Sequence, residues 1–191
     1  MTDDADRLTL LRIAREAVAA HVSGTPAPSC PGGGAGARPG GAFVTLHNHG
    51  ELRGCIGHIE ADEPIGVIIA RCAVAACSAD VRFRAITPLE LPDLDLELSL
   101  LGRLEPVSGA DEIEVGRHGL VVELGRRRGL LLPQVAIEWG WDRSTFLAHT
   151  CLKAGLPKEA WKQGAKVWRF EAEVFHEGGP GDRAAGGGQR R

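Results

Sequence analysis

Between residues 52 and 57 the chain reads Leu-Arg-Gly-Cys-Ile-Gly, which sets one thiol between two glycines and two residues after an arginine. Side chains alternate across a strand, so Arg53 and Cys55 are expected on one face, about 6–7 Å apart, with Leu52 and Ile56 turned to a core on the other. A guanidinium beside a cysteine favours the thiolate, the form that acts as nucleophile, redox centre or metal ligand. Gly54 and Gly57 weaken a strand and are expected where a ligand or another backbone comes close. A plainer account of the same residues makes Cys55 a small packed hydrophobe.

Other residue groups carry chemistry of their own. Asp80-Val81-Arg82-Phe83-Arg84 mixes an acid, two bases and an aromatic in one short stretch. Arginine suits planar anions, so the stretch reads as an anchor for a carboxylate or phosphate; as an exposed ion pair it contributes only about 0–1 kcal/mol. His118 stands between Arg117 and Gly119 just before an apolar run and is the candidate general acid or base. His47, His49 and His58 crowd one hairpin, yet six residues at about 3.3 Å each put His58 roughly 20 Å from the other two. Zinc holds its ligands within about 2.0–2.3 Å, so these three cannot share an ion and no metal site is expected. Cys72, Cys77 and Cys151 fall on apolar helical stripes and read as core, while Cys30 lies in a Gly/Pro-rich segment.

The elements that position these residues follow from periodicity. Residues 6–22 carry apolar side chains at helical spacing, and 23–41 turn to Gly, Pro, Ser and Ala, a flexible connector. Phe43–His47 and Leu52–Ile59 predict a hairpin around Asn48–Glu51. A helix is expected from Pro64 to Ser78 with Asp62 as its cap, then a strand over Leu94–Leu100. A second hairpin around Arg126–Arg128 follows, then a helix from Asp142 that stops at Gly155, and a last strand over 168–174. Hairpins without strict strand–helix alternation give an α+β fold with a mainly antiparallel sheet. The organisation is an opening helix (1–22) docked on the domain, the connector (23–41), a body (42–176) and a disordered tail (177–191).

The bulk numbers narrow the function. With 191 residues, 43% hydrophobic, there is room for one domain or a domain with a small appended lobe. A net charge of −3 supplies no global field for nucleic acid or an anionic membrane. No apolar run approaches the roughly 20 residues of a membrane span, and the acidic start (Asp3, Asp4, Asp6) is unlike a signal peptide. Five cysteines without regular spacing fit free thiols and a cytoplasmic setting.

Several segments together resemble the AMMECR domain: Phe43–Leu46, Leu52–Gly57, Ala75-Ala76 with Asp80 and Arg82-Phe83, Gly116–Gly119, Leu132–Val135, Gly140–Asp142, Phe146-Leu147, Lys153–Leu156 and Trp161. The resemblance covers roughly residues 5–176. It implies a two-lobed α+β domain, its antiparallel sheet flanked by helices, with an interlobe cleft. It also implies association with a Memo-like and a radical-SAM protein in the AmmeMemoRadiSam system. The family usually has Asp-Pro-Arg-Phe where this chain has Val81, which leaves that turn less rigid. The resulting expectation is a cysteine-centred enzyme, or enzyme component, acting on a small or flexible substrate. Cys55 and His118 are its catalytic candidates; Arg53, Gly54, Gly57, Asp80, Arg82 and Gln134 are its substrate-binding ones. The alternative is a non-catalytic module that binds one of those partners. No cofactor is named by either reading.

Overall fold

The computed structural model describes residues 2–26, 34–59 and 62–177. Residues 27–33 of the connector, Cys30 among them, and the tail from 178 lie outside the described residues. The chain forms two compact units, Met1–Leu100 with Glu173–Arg191, and Leu101–Ala172. The fold is α+β, with strands that pair antiparallel throughout the registers described.

In the first unit, α1 (Asp4–Ser23) starts because the Asp3 carboxylate accepts the Asp6 amide at 2.8 Å, and it ends at Gly24, whose φ of 67° needs no Cβ. The hairpin follows as β1 (Ala42–Asn48) and β2 (Glu51–His58), joined by a two-residue turn with positive φ at His49 and Gly50. Then come α2 (Ile65–Ser78) and β3 (Leu94–Leu101), which pairs with β1. Leu94, Leu96, Leu98 and Leu100 of β3 and Ala42, Val44 and Leu46 of β1 share one sheet face. That face builds the core with Leu10, Ile13 and Val18 of α1 and Ile65, Ile68, Ile69 and Cys72 of α2. At about 25 cal/mol per Å² of apolar surface, this burial is the main term holding the helices down.

Asp62 does not cap α2. The N-cap is Pro64, without a side-chain cap bond, and the Ile65 amide donates instead to the Arg38 carbonyl at 2.7 Å. A short 3-10 turn, Gly34–Ala37, lies just before it, and a Cβ on Gly36 would stand 3.6 Å from Gly66 Cα. The second half of the connector therefore has defined structure, because it supplies the acceptor that the start of α2 lacks.

The second unit holds β4 (Glu105–Pro106), β5 (His118–Leu124), β6 (Arg127–Leu131) and the part of β7 (Lys166–His176) up to Ala172. There β4 and β5 flank β7, and β6 pairs with β5. Arg127 and Arg128, expected at a hairpin tip, are paired in β6, and Gly125 with its φ of 62° makes the turn. Two helices complete the unit: α3 (Pro133–Glu138), which periodicity did not reveal in six residues, and α4 (Arg143–Lys153), capped by Asp142. Its core gathers Ile113, Leu120, Val122, Phe146, Leu147 and Cys151.

Where β2 meets α2 the backbones nearly touch: a Cβ on Gly54 would stand 2.2 Å from the Ala76 carbonyl oxygen. Gly54→Ala is expected to lower stability by about 1–3 kcal/mol, the ordinary cost of overpacking. An unchanged urea midpoint would contradict that close approach.

Candidate functional site

β2 stands at the end of its sheet, with β1 as its strand neighbour. The outward N–H and C=O of an edge strand need partners from elsewhere. At Cys55 they find them in the turn that follows α2. The Cys55 amide donates to Asp80 Oδ2 at 2.9 Å, and Arg82 Nη2 donates to the Cys55 carbonyl at 3.3 Å. Asp80 and Arg82 are themselves joined twice, Nη2 to Oδ2 at 2.6 Å and Nε to Oδ1 at 2.9 Å. The pair thus offers β2 one acceptor and one donor, as a neighbouring strand would.

The turn is closed without the family's proline. Phe83 N–H donates to the Asp80 carbonyl at 3.0 Å and Arg82 N–H to Asp80 Oδ1 at 3.2 Å, while Val81 stands 99% exposed at the tip. Asp80 is only 7% exposed. The Arg82 side chain, with help from the Cys55 and Arg82 amides, outweighs its desolvation and holds its carboxyl well below the usual carboxylate range. The Arg82 guanidinium is raised in turn, first by the Asp80 carboxylate and in smaller part by the Cys55 side chain beside it.

Cys55 faces Thr45 across the β1–β2 ladder. Its own N–H and C=O go to Asp80 and Arg82, so this is a pair without mutual backbone bonds, the kind whose side chains lie closest. Thr45 Oγ1 donates to Cys55 Sγ at 3.4 Å. Cys55 is half-buried, whereas Cys72, Cys77 and Cys151 are buried. Burial pushes the Cys72 thiol up to about 11 and the other two in the same direction.

Arg53 does not serve Cys55 as alternation suggested. Leu46 pairs with Gly54 and His47 with Leu52, so Arg53 is the extra residue of a β-bulge. Its guanidinium donates to Glu90 Oε1 at 2.8 Å and to the carbonyls of Arg84 at 2.6 Å and Ala85 at 3.4 Å. Glu90 is placed by a capping box with Thr87 at the start of a 3-10 turn, Pro88–Asp93, and its carboxyl is lowered first by Arg53. The bulge also shifts the alternation by one. Leu52 pairs with His47 on the Thr45 side and is 40% exposed, while Ile56 packs on the core as expected.

The two glycines make room for the protein's own atoms. Gly54 admits the α2 backbone, and a Cβ on Gly57 would lie 2.2 Å from the Phe43 ring. His47 lies in β1, His49 in the turn 3.7 Å from Asp93, and His58 at the far end of β2. Among the described residues no group of three His, Cys, Asp or Glu side chains could hold a metal, and no helix is long and apolar enough to cross a membrane.

His118 and Gln134 belong to the second unit. Gln134 is half-buried in the first turn of α3. His118 is buried at the start of β5, and its Nδ1 accepts the Glu114 amide at 2.9 Å. Desolvation, then Arg169 and Arg117, lower its pKa, and with Nδ1 accepting, the ring proton sits on Nε2. His118 lines a cavity of about 860 Å³ made by residues of the second unit, and Cys55 is not among them.

The AMMECR1 family model matches residues 11–175. The chain belongs to the AMMECR1 family. A protein of Methanothermobacter thermautotrophicus is 44% identical to this AMMECR1 chain over 180 residues, 90% of this chain and 94% of that protein. One from Aeropyrum pernix is 42% identical over 188 residues, 93% and 81% of the respective chains. The crystal structure of PH0010 from Pyrococcus horikoshii, an uncharacterized protein by its own description, aligns with a TM-score of 0.86 at 37% identity. That alignment covers 93% of this AMMECR1 chain and 94% of PH0010.

Thr45 and Glu90 are the site members that the sequence reading missed. Glu90 had a signal, the Thr87-Pro88-Leu89-Glu90 capping-box spacing, while Thr45 needed the hairpin register. The folded-state pKa of Asp80 lies below its unfolded value, so its stabilisation is complete above about pH 4 and is lost as pH falls through the folded value. Asp80→Asn should lower stability at pH 7 by about 1.5–3 kcal/mol, the range for hydrogen bonds to a charged group. Urea unfolding from pH 7 to pH 2 should show the gap between variant and wild type closing progressively below pH 4.

Proposed function

We propose that this AMMECR1-family protein is a cysteine-centred enzyme, or a component of one, acting on a small or flexible substrate. The observation that carries the reading is the setting of Cys55: a half-buried thiol that receives the Thr45 hydroxyl and lies beside the Arg82 guanidinium. The hydroxyl and the guanidinium give sulfur a hydrogen-bond donor and a cationic neighbour, and a cysteine sulfur attacks electrophilic carbon or sulfur as the thiolate. Asp80 is a positioning residue that fixes Arg82, and Arg53 anchors the segment ending at Glu90. His118, an acid–base candidate, and Gln134, a candidate polar substrate contact, belong to the second unit.

Brief alkylation with iodoacetamide at pH 7.5, resolved by peptide mass spectrometry, should label Cys55 at least tenfold faster than Cys72, Cys77 or Cys151. Arg82→Gln should slow Cys55 labelling at least threefold while circular dichroism stays unchanged. Equal labelling of all four thiols would contradict a nucleophilic Cys55.

A second reading is favoured by Leu52, Val81 and Leu89, large apolar side chains left exposed in the same unit, Leu89 at 88%. They suit docking of a Memo-like or radical-SAM partner. In coexpression pull-downs, Val81→Ser with Leu89→Ser should then weaken capture. A Cys55→Ala variant that keeps the complex but loses the system's output favours chemistry; one that keeps both favours docking alone.

A further inference from the structure

The second unit's cavity is polar, and its acidic and basic side chains are unequally committed. Glu105 pairs with Arg169 at 3.0 Å, Glu114 and Glu171 with Arg117 at 3.2 and 2.8 Å, and Glu112 accepts the Ser108 and Gly109 amides. Of the other residues lining the cavity, Arg103 and Arg143 make no ion pair and no side-chain hydrogen bond among the described residues. His118 adds a third donor. Its Nδ1 is held by the Glu114 amide, which leaves Nε2–H as the ring's free donor at the cavity wall.

We propose that this cavity binds a small molecule through one oxyanion group, a carboxylate or a phosphate, taken by the Arg103 and Arg143 guanidiniums and by His118 Nε2–H. Guanidinium forks match both kinds of oxyanion, and a neutral imidazole donates to either without bringing a charge of its own. Of the acids on the wall, only Asp111 has no partner among the described residues, and it is exposed. Four arginines against five carboxylates leave the wall without a net positive charge, so it suits a single anionic group rather than a polyanion.

An anion placed against His118 favours the imidazolium and raises its pKa. It acts against the cations Arg117 and Arg169 and adds to the carboxylates Glu114 and Glu171; Arg143 of α4, with Arg103, Glu105, Asp111 and Glu112 on the remaining walls, completes the charges of the cavity. Binding should therefore strengthen as pH falls.

The test follows the His118 imidazole by nitrogen-correlated NMR, with its signal assigned by loss in His118→Gln. Inorganic phosphate and acetate are titrated separately against chloride at constant ionic strength. Saturable shifts of the His118 signal with at least one probe, and a titration midpoint moved to higher pH, are expected; which probe acts tells phosphate from carboxylate. The Arg103→Gln/Arg143→Gln variant should weaken the response at least fivefold with an unchanged melting temperature. No saturable response to either probe, or an undiminished response in the double variant, would overturn the proposal.

Discussion

The outward-facing backbone of Cys55 is the constraint around which the first unit's site is arranged. An edge strand presents amides and carbonyls that must be paired or solvated, and here the two at the thiol are taken by one ion pair. Asp80 is buried because it accepts that amide, and it stays ionised because Arg82 grips both of its oxygens. Arg82 is thereby held against β2 with a guanidinium beside sulfur. The interaction that seals the sheet edge also places a cation beside the thiol. Removing Arg82 would leave the buried Asp80 carboxylate uncompensated, which makes the arrangement costly to alter piecemeal.

The rest of the hairpin serves this edge. Gly54 lets the α2 backbone come within contact of β2, and the chain leaves α2 only two residues before Asp80. Arg53, displaced by the bulge, reaches over to Glu90 and the carbonyls of Arg84 and Ala85. The segment after α2 is thus tied to β2 at both ends, by Asp80–Arg82 at one and by Arg53–Glu90 at the other.

Much of this was legible in the sequence, and the losses have physical causes. Period-two leucines over Leu94–Leu100 and the stripe on α2 gave strand and helix within a residue or two, because burial of one face dictates spacing. The hexapeptide drew attention to Cys55, and the Asp80–Arg84 stretch to Asp80 and Arg82. Alternation failed at Leu52 and Arg53, since a bulge adds a residue without any composition signal. The glycines were rightly read as points of close approach, but what approaches is Ala76 and the Phe43 ring. The Asp62 cap was displaced by a carbonyl 27 residues upstream of Ile65, a long-range bond that no local pattern encodes.

The most direct test of the account is the hydrogen-exchange rate of one amide, that of Cys55, measured by NMR in the wild type and in Asp80→Asn. The account predicts an amide protected at least a hundredfold although its strand is at the sheet edge, with most of that protection lost in the variant. A Cys55 amide that exchanges in the wild type as fast as an unpaired edge amide, or equally slowly in both proteins, would contradict it.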